Sequence, residues 1–183
     1  LYYVAFNRKV NHLLHHNLFF DTDFEQHAKE IYDTQELPQK PLFYANFSSK
    51  TDETLCEADK EIGFFLIPVA VDLEDNEEIH EKYFQIILDR IKKCTGEDLS
   101  DAVLFKKSFG VKDFKERYHS CRGNAYGLAN TLLQTSVLRP SIKNKKLKNF
   151  FYTGQLTVPG PGVPPALISG KVVTDYILKK QNH

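Results

Sequence analysis

Three histidines near the start of the chain, His12, His15 and His16, are of a residue type that commonly binds metal ions. The run that holds His15 and His16 reads as a β-strand, and adjacent residues of a strand point to opposite faces. No aspartate, glutamate or cysteine stands at a spacing that would complete a ligand set. We therefore interpret these histidines as part of a strand and predict that they bind no metal.

A cysteine nucleophile is the second possibility. Cys121 is followed by Arg122 and lies near His119, and positive charge beside a thiol favours the reactive thiolate. A nucleophile also needs a base within reach, and the sequence identifies none. The chain has three widely spaced cysteines, which favours reduced, buried thiols in a reducing compartment over disulfides or a zinc site.

The third candidate is the stretch YTGQLTVPGPGVPPALISGKVVTDYIL, residues 152–178, which is rich in glycine and proline. Gly160 and Gly162 can adopt backbone angles that other residues avoid, and the prolines stiffen the segment. Pro164 or Pro165 is suited to the first turn of a helix, where no N–H is required. The pattern predicts a rigid loop followed by a helix.

This helix would place Ala166, Ser169 and Gly170 on one face, where small side chains permit close approach to a sheet or a cofactor. Its N-terminus would offer unpaired N–H groups and a partial positive charge to electron-rich oxygens. A flexible linker needs no such helix, and the PGVP sequence, a possible PxxP ligand, has buried-looking neighbours on both sides. We therefore favour a rigid loop that faces a cofactor.

The elements that position this loop follow from hydrophobic periodicity and turn residues. Asp21 or Asp23 could cap a first helix with Phe24, Ala28 and Ile31 on its buried side. Strands are predicted at 1–6, 15–20, 42–48, 62–71 (buried on both faces), 102–110 and 149–152. Helices are predicted within 21–34, from Glu77 to Cys94 before Gly96, and after Pro165, with a short helix or turn at 111–120 and a short apolar helix within 121–149.

Two charged runs are interpreted as solvent-exposed. The acidic run 72–78 precedes the helix that begins near Glu77 and suits the positive end of its dipole. The basic run 139–148 could attract anions, but few aromatic residues lie among its lysines, so we interpret it as a solvated loop.

Composition limits the function classes. Hydrophobic residues make up 42% and charged residues 26% of the chain, and the net charge is zero, so nothing in the charge favours nucleic acid. The longest apolar run, 62–71, is shorter than the roughly 18–20 residues of a membrane span. The chain contains no methionine and opens on a strand-like run, which indicates a piece cut from a longer chain.

We predict an α/β chain with α+β character. Residues 1–145 would form a mixed β-sheet with helices, and residues 146–183 a strand, loop and helix that return to an α/β domain.

Four segments resemble one known family. FFYTGQLTVPGPGVPPALISGKVVTDYIL resembles the C-terminal flavin-binding signature of the phytoene desaturase family of FAD-dependent carotenoid oxidoreductases. LHHNLFF is similar to the His-His strand of that family, FFLIPVAVDLED to its apolar strand ending in proline, and GNAYGLANTLLQTSVLRPSIKN to its segment ending in Arg-Pro. The resemblance covers essentially all 183 residues.

The resemblance implies that the cofactor is FAD and that the chain has two parts with different functions. Residues 1–145 would be part of the substrate-side region, and residues 146–183 the C-terminal return element of a Rossmann-like FAD-binding domain. The GxGxxG fingerprint that opens this domain in the family is absent from the sequence, so the chain resembles a C-terminal third that alone should neither hold FAD tightly nor be active. The implied flavin-side residues are Gly154, Gln155, Thr157, Val158, Pro159, Gly160, Gly162, Val163 and Pro164.

The implied reaction is the dehydrogenation of a polyene, phytoene, towards lycopene, with FAD reoxidised by oxygen, a quinone or another acceptor. The sequence identifies no general base and no oligomeric state. The substrate is a lipid, which implies a cytoplasmic protein held peripherally at a membrane surface. Six aromatic residues could line an apolar tunnel or simply form the core: Phe19, Phe20, Phe43, Phe47, Phe64 and Phe65.

Other functions stay open at this point. A carotenoid ketolase, a later-step desaturase or a retinoid saturase would share the same flavoprotein superfamily. A non-catalytic α+β binding module, with a terminal loop that holds an anion or a peptide, is the alternative from a different class.

Overall fold

The computed structural model describes residues 1–128, 131–135 and 138–181. The chain divides into two compact units, Leu1–Gly123 and Asn124–His183. The predicted boundary between residues 145 and 146 separates two functional parts and stays a prediction.

In the described residues, the first unit contains five strands and three α-helices, and the second contains one α-helix. The strands predicted within the first 110 residues are confirmed, mostly with shorter bounds, as are the helices within 21–34, from Glu77 and after Pro165, and residues 111–120 form a helix. The short apolar helix predicted within 121–149 lies partly outside the described residues, and the described part has only the 3-10 turns Cys121–Gly123 and Leu132–Gln134. The elements are β1 (Tyr2–Phe6), β2 (His16–Phe19), α1 (Phe24–Tyr32), β3 (Phe43–Asn46), β4 (Glu61–Leu66), α2 (Glu77–Thr95), β5 (Val103–Ser108), α3 (Val111–Tyr118) and α4 (Val163–Gln181).

Neighbouring strands of the sheet are all antiparallel, in the order β2–β3–β4–β1–β5. The predicted mixed sheet is therefore wrong, whereas the predicted α+β character is confirmed. The position of β1 explains the difference. Helix α2 connects β4 to β5, and strands connected through a helix usually pair in parallel. Here β1 is inserted between them and runs opposite to both.

The core of the first unit includes one face of this sheet and helix α2. Tyr2 of β1 and Phe84 of α2 have ring centroids 5.5 Å apart, and Ile87 and Ile91 of α2 are fully buried. A side chain at Gly63 of β4 would lie only 3.0 Å from the ring of Phe6. The packing therefore depends on a small residue in this strand.

Helix α2 begins near Glu77 and ends at Gly96, as the sequence predicts. The Asn76 side chain caps its first turn, and Gly96 ends it with a φ of 78°. The acidic run 72–78 is mostly solvated as interpreted, since Asp72, Glu74, Glu77 and Glu78 are exposed. Asp75 is the exception, because its side chain is only 8% exposed. Its carboxylate contacts the His80 ring and accepts a hydrogen bond from the Lys112 amide at the start of α3.

The opposite face of the sheet is open to solvent and largely apolar. Tyr3, Leu18 and Phe105 are 47%, 68% and 57% exposed, and the ring of Phe64 lies 5.3 Å from that of Tyr3. We call this surface the outer face. Its residues are Tyr3, Ala5, His16, Leu18, Tyr44, Asn46, Ile62, Phe64, Leu66, Phe105 and Lys107.

The exposed outer face also corrects the prediction for residues 62–71. Strand β4 is not buried on both faces, because Glu61, Gly63 and Phe65 are buried while the residues between them are half-buried. The strand ends at Leu66, two residues before Pro68, which has no N–H with which to continue a ladder.

Helix α1 buries a different face from the one predicted. Asp23 caps it as expected, with its carboxylate accepting from the amides of Glu25 and Gln26. The predicted inner residue Phe24 is 61% exposed, however, and the buried residues are His27 and Glu30. A polar pair therefore occupies the position where amphipathicity predicts an apolar one.

These two polar residues bind an irregular segment, residues 36–42. The Leu42 amide donates to Nδ1 of His27 at 3.0 Å, so the proton of this ring lies on Nε2, which donates to the Pro68 carbonyl at 3.1 Å. A Glu30 oxygen accepts from the Gln39 amide at 3.3 Å. The buried face of α1 is polar because its side chains form hydrogen bonds with backbone N–H and C=O groups that have no partner in a strand or helix.

Helix α2 binds the same segment from its own side. The Tyr83 hydroxyl donates to the Pro38 carbonyl at 2.7 Å, and Arg90 donates to the Pro41 carbonyl. Both prolines are fully buried. Burial raises the pKa of Tyr83 to about 12, which keeps its hydroxyl a donor at neutral pH.

A fully buried carboxylate, that of Glu61 at the start of β4, connects this strand to two further segments. It accepts from the Val10 amide at 3.5 Å and from the Ser49 hydroxyl, and the ammonium of Lys50 lies 3.4 Å away. Ser49 in turn accepts from the Ile62 amide at 3.1 Å. This buried charge is therefore both paired and hydrogen-bonded, as its burial requires.

The second unit lacks the strand predicted at 149–152, within its described residues. Phe151 makes a single antiparallel bridge, to Lys143, whereas a strand needs a ladder of such partners. The side chain of Asn144 accepts from the amides of Lys146 and Leu147 and bends the chain into a tight turn, which leaves no length for a ladder.

Among the described residues, no helix is both long and apolar enough to cross a lipid bilayer.

Replacing His27 with leucine should lower the free energy of unfolding by about 2–4 kcal/mol, because the Leu42 amide and the Pro68 carbonyl would lose their partner. Urea denaturation followed by circular dichroism measures this loss. Tyr32→Leu on the same helix is the control, because Tyr32 is 71% exposed, and it should change stability by less than about 0.5 kcal/mol. Equal losses in the two variants would contradict the role given to His27.

Glu61→Leu should cost about 3–5 kcal/mol, because it leaves the Lys50 ammonium largely buried without its counter-charge. Combining it with Lys50→Met should recover much of this loss, since both charges are then removed. The exposed pair of Glu57 and Lys60, 2.6 Å apart, is the control, and Glu57→Leu should cost less than about 1 kcal/mol. A double variant as unstable as Glu61→Leu alone would contradict the pairing.

Candidate functional site

Helix α4 begins at Val163, with both Pro164 and Pro165 in its first turn, as the sequence predicts. Prolines have no N–H, and the Ala166 amide donates to the Gly162 carbonyl at 3.0 Å. The expected set of unpaired N–H groups is therefore reduced to the amides of Gly162 and Val163. The helix dipole does not depend on these donors and is retained.

The small-residue face of α4 packs on the loop that precedes it. The Ser169 side chain is fully buried, and its hydroxyl oxygen accepts from the Gly154 amide at 2.7 Å and donates to the Ala166 carbonyl at 2.6 Å. Gly154 has a φ of 99°, which a residue with a side chain rarely adopts. One hydroxyl therefore fixes the start of the loop to the helix.

The middle of the loop is held by the segment before it. The buried Thr157 donates its hydroxyl proton to the Pro140 carbonyl at 2.8 Å. Arg139, only 6% exposed, donates to the Gln155 carbonyl at 3.3 Å. A Cβ atom added at Gly160 would lie only 3.3 Å from Nε of Arg139, and Gly160 has a φ of 138°. The loop is thus rigid through specific contacts, as predicted.

Arg139 is the residue that sequence reasoning missed. It belongs to the basic run interpreted as a solvated loop, and that interpretation is wrong for this residue, although Lys145, Lys146 and Lys148 are exposed. The one signal in the sequence is its position, directly after an apolar run and directly before Pro140.

The turn before the loop also contacts α4. The Lys143 ammonium lies 3.9 Å from the ring centroid of Tyr176, and the rings of Phe151 and Tyr176 are 5.7 Å apart. The hydrogen bond from Lys143 lowers the pKa of the Tyr176 phenol.

The nine predicted flavin-side residues all lie in this loop and the first turn of α4. Thr157 and Gly160 are buried and are used in the contacts just described, so neither lies at the surface of the loop. The surface members are Gly154, Gln155 and Val158, which are half-buried, and Pro159, Gly162, Val163 and Pro164, which are exposed.

The cysteine interpretation is corrected in one respect. All three cysteines lie within the described residues and are reduced, but Cys94 and Cys121 are exposed and not buried. Arg122 pairs with Asp72 at 3.4 Å, and a hydrogen bond from Lys115 lowers the pKa of that carboxyl group.

The histidine pair is not divided between two faces. Strand β2 begins at His16, so alternation does not apply to His15, and the two rings lie 4.1 Å apart. Nδ1 of His15 contacts the Thr51 hydroxyl at 2.6 Å, and Nδ1 of His16 the Tyr44 hydroxyl at 2.6 Å. Within the described residues, no group of three or more histidine, cysteine or acidic side chains is placed to hold a metal.

Ser169→Ala should release the start of the loop, because the Gly154 amide loses its acceptor. We expect a loss of about 1–2 kcal/mol in stability and faster hydrogen exchange of the Gly154 amide, read by mass spectrometry or NMR. Thr174→Ala is the matched control, since Thr174 also bonds its own helix, to the Gly170 carbonyl at 3.0 Å, but is exposed. Unchanged exchange at Gly154 in Ser169→Ala would contradict the coupling.

Comparison with known proteins identifies relatives of the chain. No family model matches it. It is 37% identical to a carotenoid 3,4-desaturase of Haloarcula japonica over 98% of the chain, and 30% identical to a zeta-carotene-forming phytoene desaturase of Myxococcus xanthus over 96%. It is also 30% identical to a 4,4'-diapophytoene desaturase of Staphylococcus haemolyticus over 100% of the chain.

The matches cover only 36%, 34% and 38% of these three relatives, so the chain spans about a third of the length of the proteins it resembles. The family resemblance carried by the loop and the other three segments is confirmed. Over nearly all of its residues, the chain is a homologue of the carotenoid and phytoene desaturases.

Proposed function

We propose that this chain is the C-terminal part of an FAD-dependent carotenoid desaturase that dehydrogenates phytoene towards lycopene. The observation that carries the proposal is its similarity to carotenoid desaturases over nearly the whole chain. The loop before α4 supports it, since accessible backbone, a helix dipole and the open space beside Gly154 occur together there.

The residues of this loop fit the ring system of a flavin better than its phosphates. A side chain added at Gly154 would meet no atom within 4 Å, so open space borders the backbone there. Phosphate binding at a helix N-terminus relies on several N–H donors, and the two prolines leave only those of Gly162 and Val163. The glycines at 154, 160 and 162 also do not match the GxGxxG spacing.

The proposed roles follow from the exposure of each residue. Gly154, Gln155 and Val158 would contact the flavin ring, and Pro159, Gly162, Val163 and Pro164 would place the start of α4 against it. The dipole of α4 would stabilise negative charge on the ring. Thr157 and Gly160 would shape the loop from inside. Bound FAD would supply the hydride acceptor for the dehydrogenation.

The outer face of the sheet is proposed to hold the polyene. Of the six aromatic residues considered for a tunnel, Phe19, Phe43, Phe47 and Phe65 are buried in the core. Phe64 lies on the outer face, and Phe20 is exposed. Tyr3, Leu18 and Phe105 extend the apolar surface across the outer strands, which suits a long hydrocarbon. Because that substrate resides in lipid, we place the protein peripherally at a membrane, on its cytoplasmic side.

A later-step desaturase is the second candidate. It is favoured by the 37% identity to a carotenoid 3,4-desaturase. The two candidates differ in which polyene they consume and share the cofactor and the reaction class, so product analysis separates them.

In a bacterial host that makes phytoene and has no other desaturase, the full-length protein should convert phytoene to a product that absorbs visible light. Chromatography and absorbance spectra identify it. Gly154→Val should lower bound flavin and product by about tenfold, through roughly 1–3 kcal/mol of backbone strain at a positive φ. Lys171→Ala, exposed on α4, should change neither.

Three outcomes would contradict parts of this proposal. If phytoene is untouched while a hydroxylated or cyclic carotenoid is consumed, the later-step candidate is correct. If purified protein holds flavin but consumes no polyene, the substrate class is wrong. If Gly154→Val retains full flavin, the loop is not the cofactor contact.

A further inference from the structure

One corner of the apolar outer face carries a closed set of polar side chains: His16 of β2 with Tyr44 and Asn46 of β3. The Tyr44 hydroxyl lies 2.6 Å from Nδ1 of His16 and accepts from the Asn46 amide group at 3.0 Å. The Asn46 nitrogen is also 3.3 Å from Nδ1 of His16. We call these three residues the polar cluster.

The bonds within the cluster fix the proton of His16. The Asn46 nitrogen can only donate and lies 3.3 Å from Nδ1 of His16, so Nδ1 is the acceptor of this contact. The Tyr44 hydroxyl, 2.6 Å from the same Nδ1, then donates its proton to it. With Nδ1 an acceptor, the ring carries its proton on Nε2. The described residues place no hydrogen-bond partner on Nε2, and His16 is exposed, so the outer face presents an N–H donor at this point.

Asn46 contributes the complementary group. Its nitrogen is used within the cluster, and in the described part of the chain its oxygen has no donor. The cluster thus offers one donor, Nε2–H of His16, and one acceptor, the Asn46 oxygen. A hydroxyl group can use both, because it donates one hydrogen bond and accepts others.

Apart from His15, whose ring lies 4.1 Å from that of His16, the neighbours of the cluster on the sheet are apolar. In the strand register, Leu18 stands opposite Tyr44 and Phe64 opposite Asn46. Leu66 is the next partner of Tyr44 along the sheet. A hydrocarbon that covered the cluster would bury its donor and acceptor without partners, which costs free energy. A chain with a hydroxyl at this point would satisfy them while its apolar part covers Leu18, Phe64 and Leu66.

A role for His16 as the base that removes the substrate proton fits the geometry less well. Nδ1 is already bonded to Tyr44, and Nε2 already carries a proton, so the ring as held has no free lone pair for a second one.

We propose that the polar cluster is a specificity site that recognises a hydroxyl group on a polyene lying along the outer face. This inference rests on the proposed function, because it assumes that the outer face holds the polyene, and of its two candidates it favours the later-step desaturase, since phytoene carries no hydroxyl group. It makes a hydroxylated carotenoid a preferred ligand over the hydrocarbon of equal conjugated length.

The test compares two ligands that differ by one hydroxyl group, lycopene and its 1-hydroxy-1,2-dihydro derivative. Binding to the full-length protein in detergent is followed by quenching of tyrosine fluorescence, without turnover. The wild-type protein should bind the hydroxylated ligand about 3- to 10-fold more tightly, the effect of one well-placed hydrogen bond. His16→Leu should reduce this ratio to about one.

Tyr44→Phe is the second variant. It keeps the ring beside Phe64, at a centroid distance of 6.4 Å, and removes only the hydroxyl that orients His16, so it should also reduce the ratio while hydrocarbon binding stays unchanged. His12→Ala, an exposed histidine outside the cluster, is the control and should keep the wild-type ratio.

The outcomes separate the two proposals. If wild-type and variant proteins bind both ligands with the same ratio, the polar cluster is not a specificity site, while the outer face as polyene surface stands. If the wild-type protein binds neither ligand, the proposed function itself is contradicted. A ratio lost in His16→Leu but kept in Tyr44→Phe would overturn the orienting role of Tyr44.

Discussion

Backbone that leaves a helix or strand and is buried must find hydrogen-bond partners, and this requirement organises the whole chain. Each of the seven buried polar side chains among the described residues binds backbone: His27, Glu30, Ser49, Glu61, Arg139, Thr157 and Ser169. The first two hold the proline-rich segment 36–42, the next two join the start of β4 to its neighbours, and the last three fix the glycine-rich loop. Buried polar residues here are the means by which irregular segments are packed.

The same requirement bears on the surfaces that each unit leaves for function. In the first unit, the apolar core and α2 cover the inner face of the sheet, which leaves the outer face with apolar residues and the polar cluster. In the second unit, Thr157, Gly160 and Ser169 are turned inward, and the backbone of Gly154 and Gln155 is bonded to Ser169 and Arg139. The proposed substrate contacts therefore lie on a face that the packing of the first unit does not use, whereas the proposed cofactor contacts include backbone that also holds the loop in place.

The sequence predicted what depends on local patterns and missed what depends on distant partners. The long helix α2 and its end at Gly96 follow from periodicity and from the glycine after its last turn. The inner face of α1 could not be predicted, because His27 and Glu30 are buried by a segment whose prolines prevent it from joining the sheet. The antiparallel sheet depends on the insertion of β1 between β4 and β5. The burial of Arg139 depends on its contact with the loop at Gln155, farther along the chain. Neither can be read from a short stretch of sequence.

The two prolines that open α4 have a consequence for the kind of charge this helix end can attract. A phosphate concentrates its charge on a few oxygens and gains most from several directed donors, which Pro164 and Pro165 cannot supply. A charge delocalised over a conjugated ring gains from the electric field of the peptide dipoles even where few N–H groups point at it. The two prolines should therefore weaken the attraction of this helix end for compact anions such as phosphate, while its attraction for anions with delocalised charge is retained.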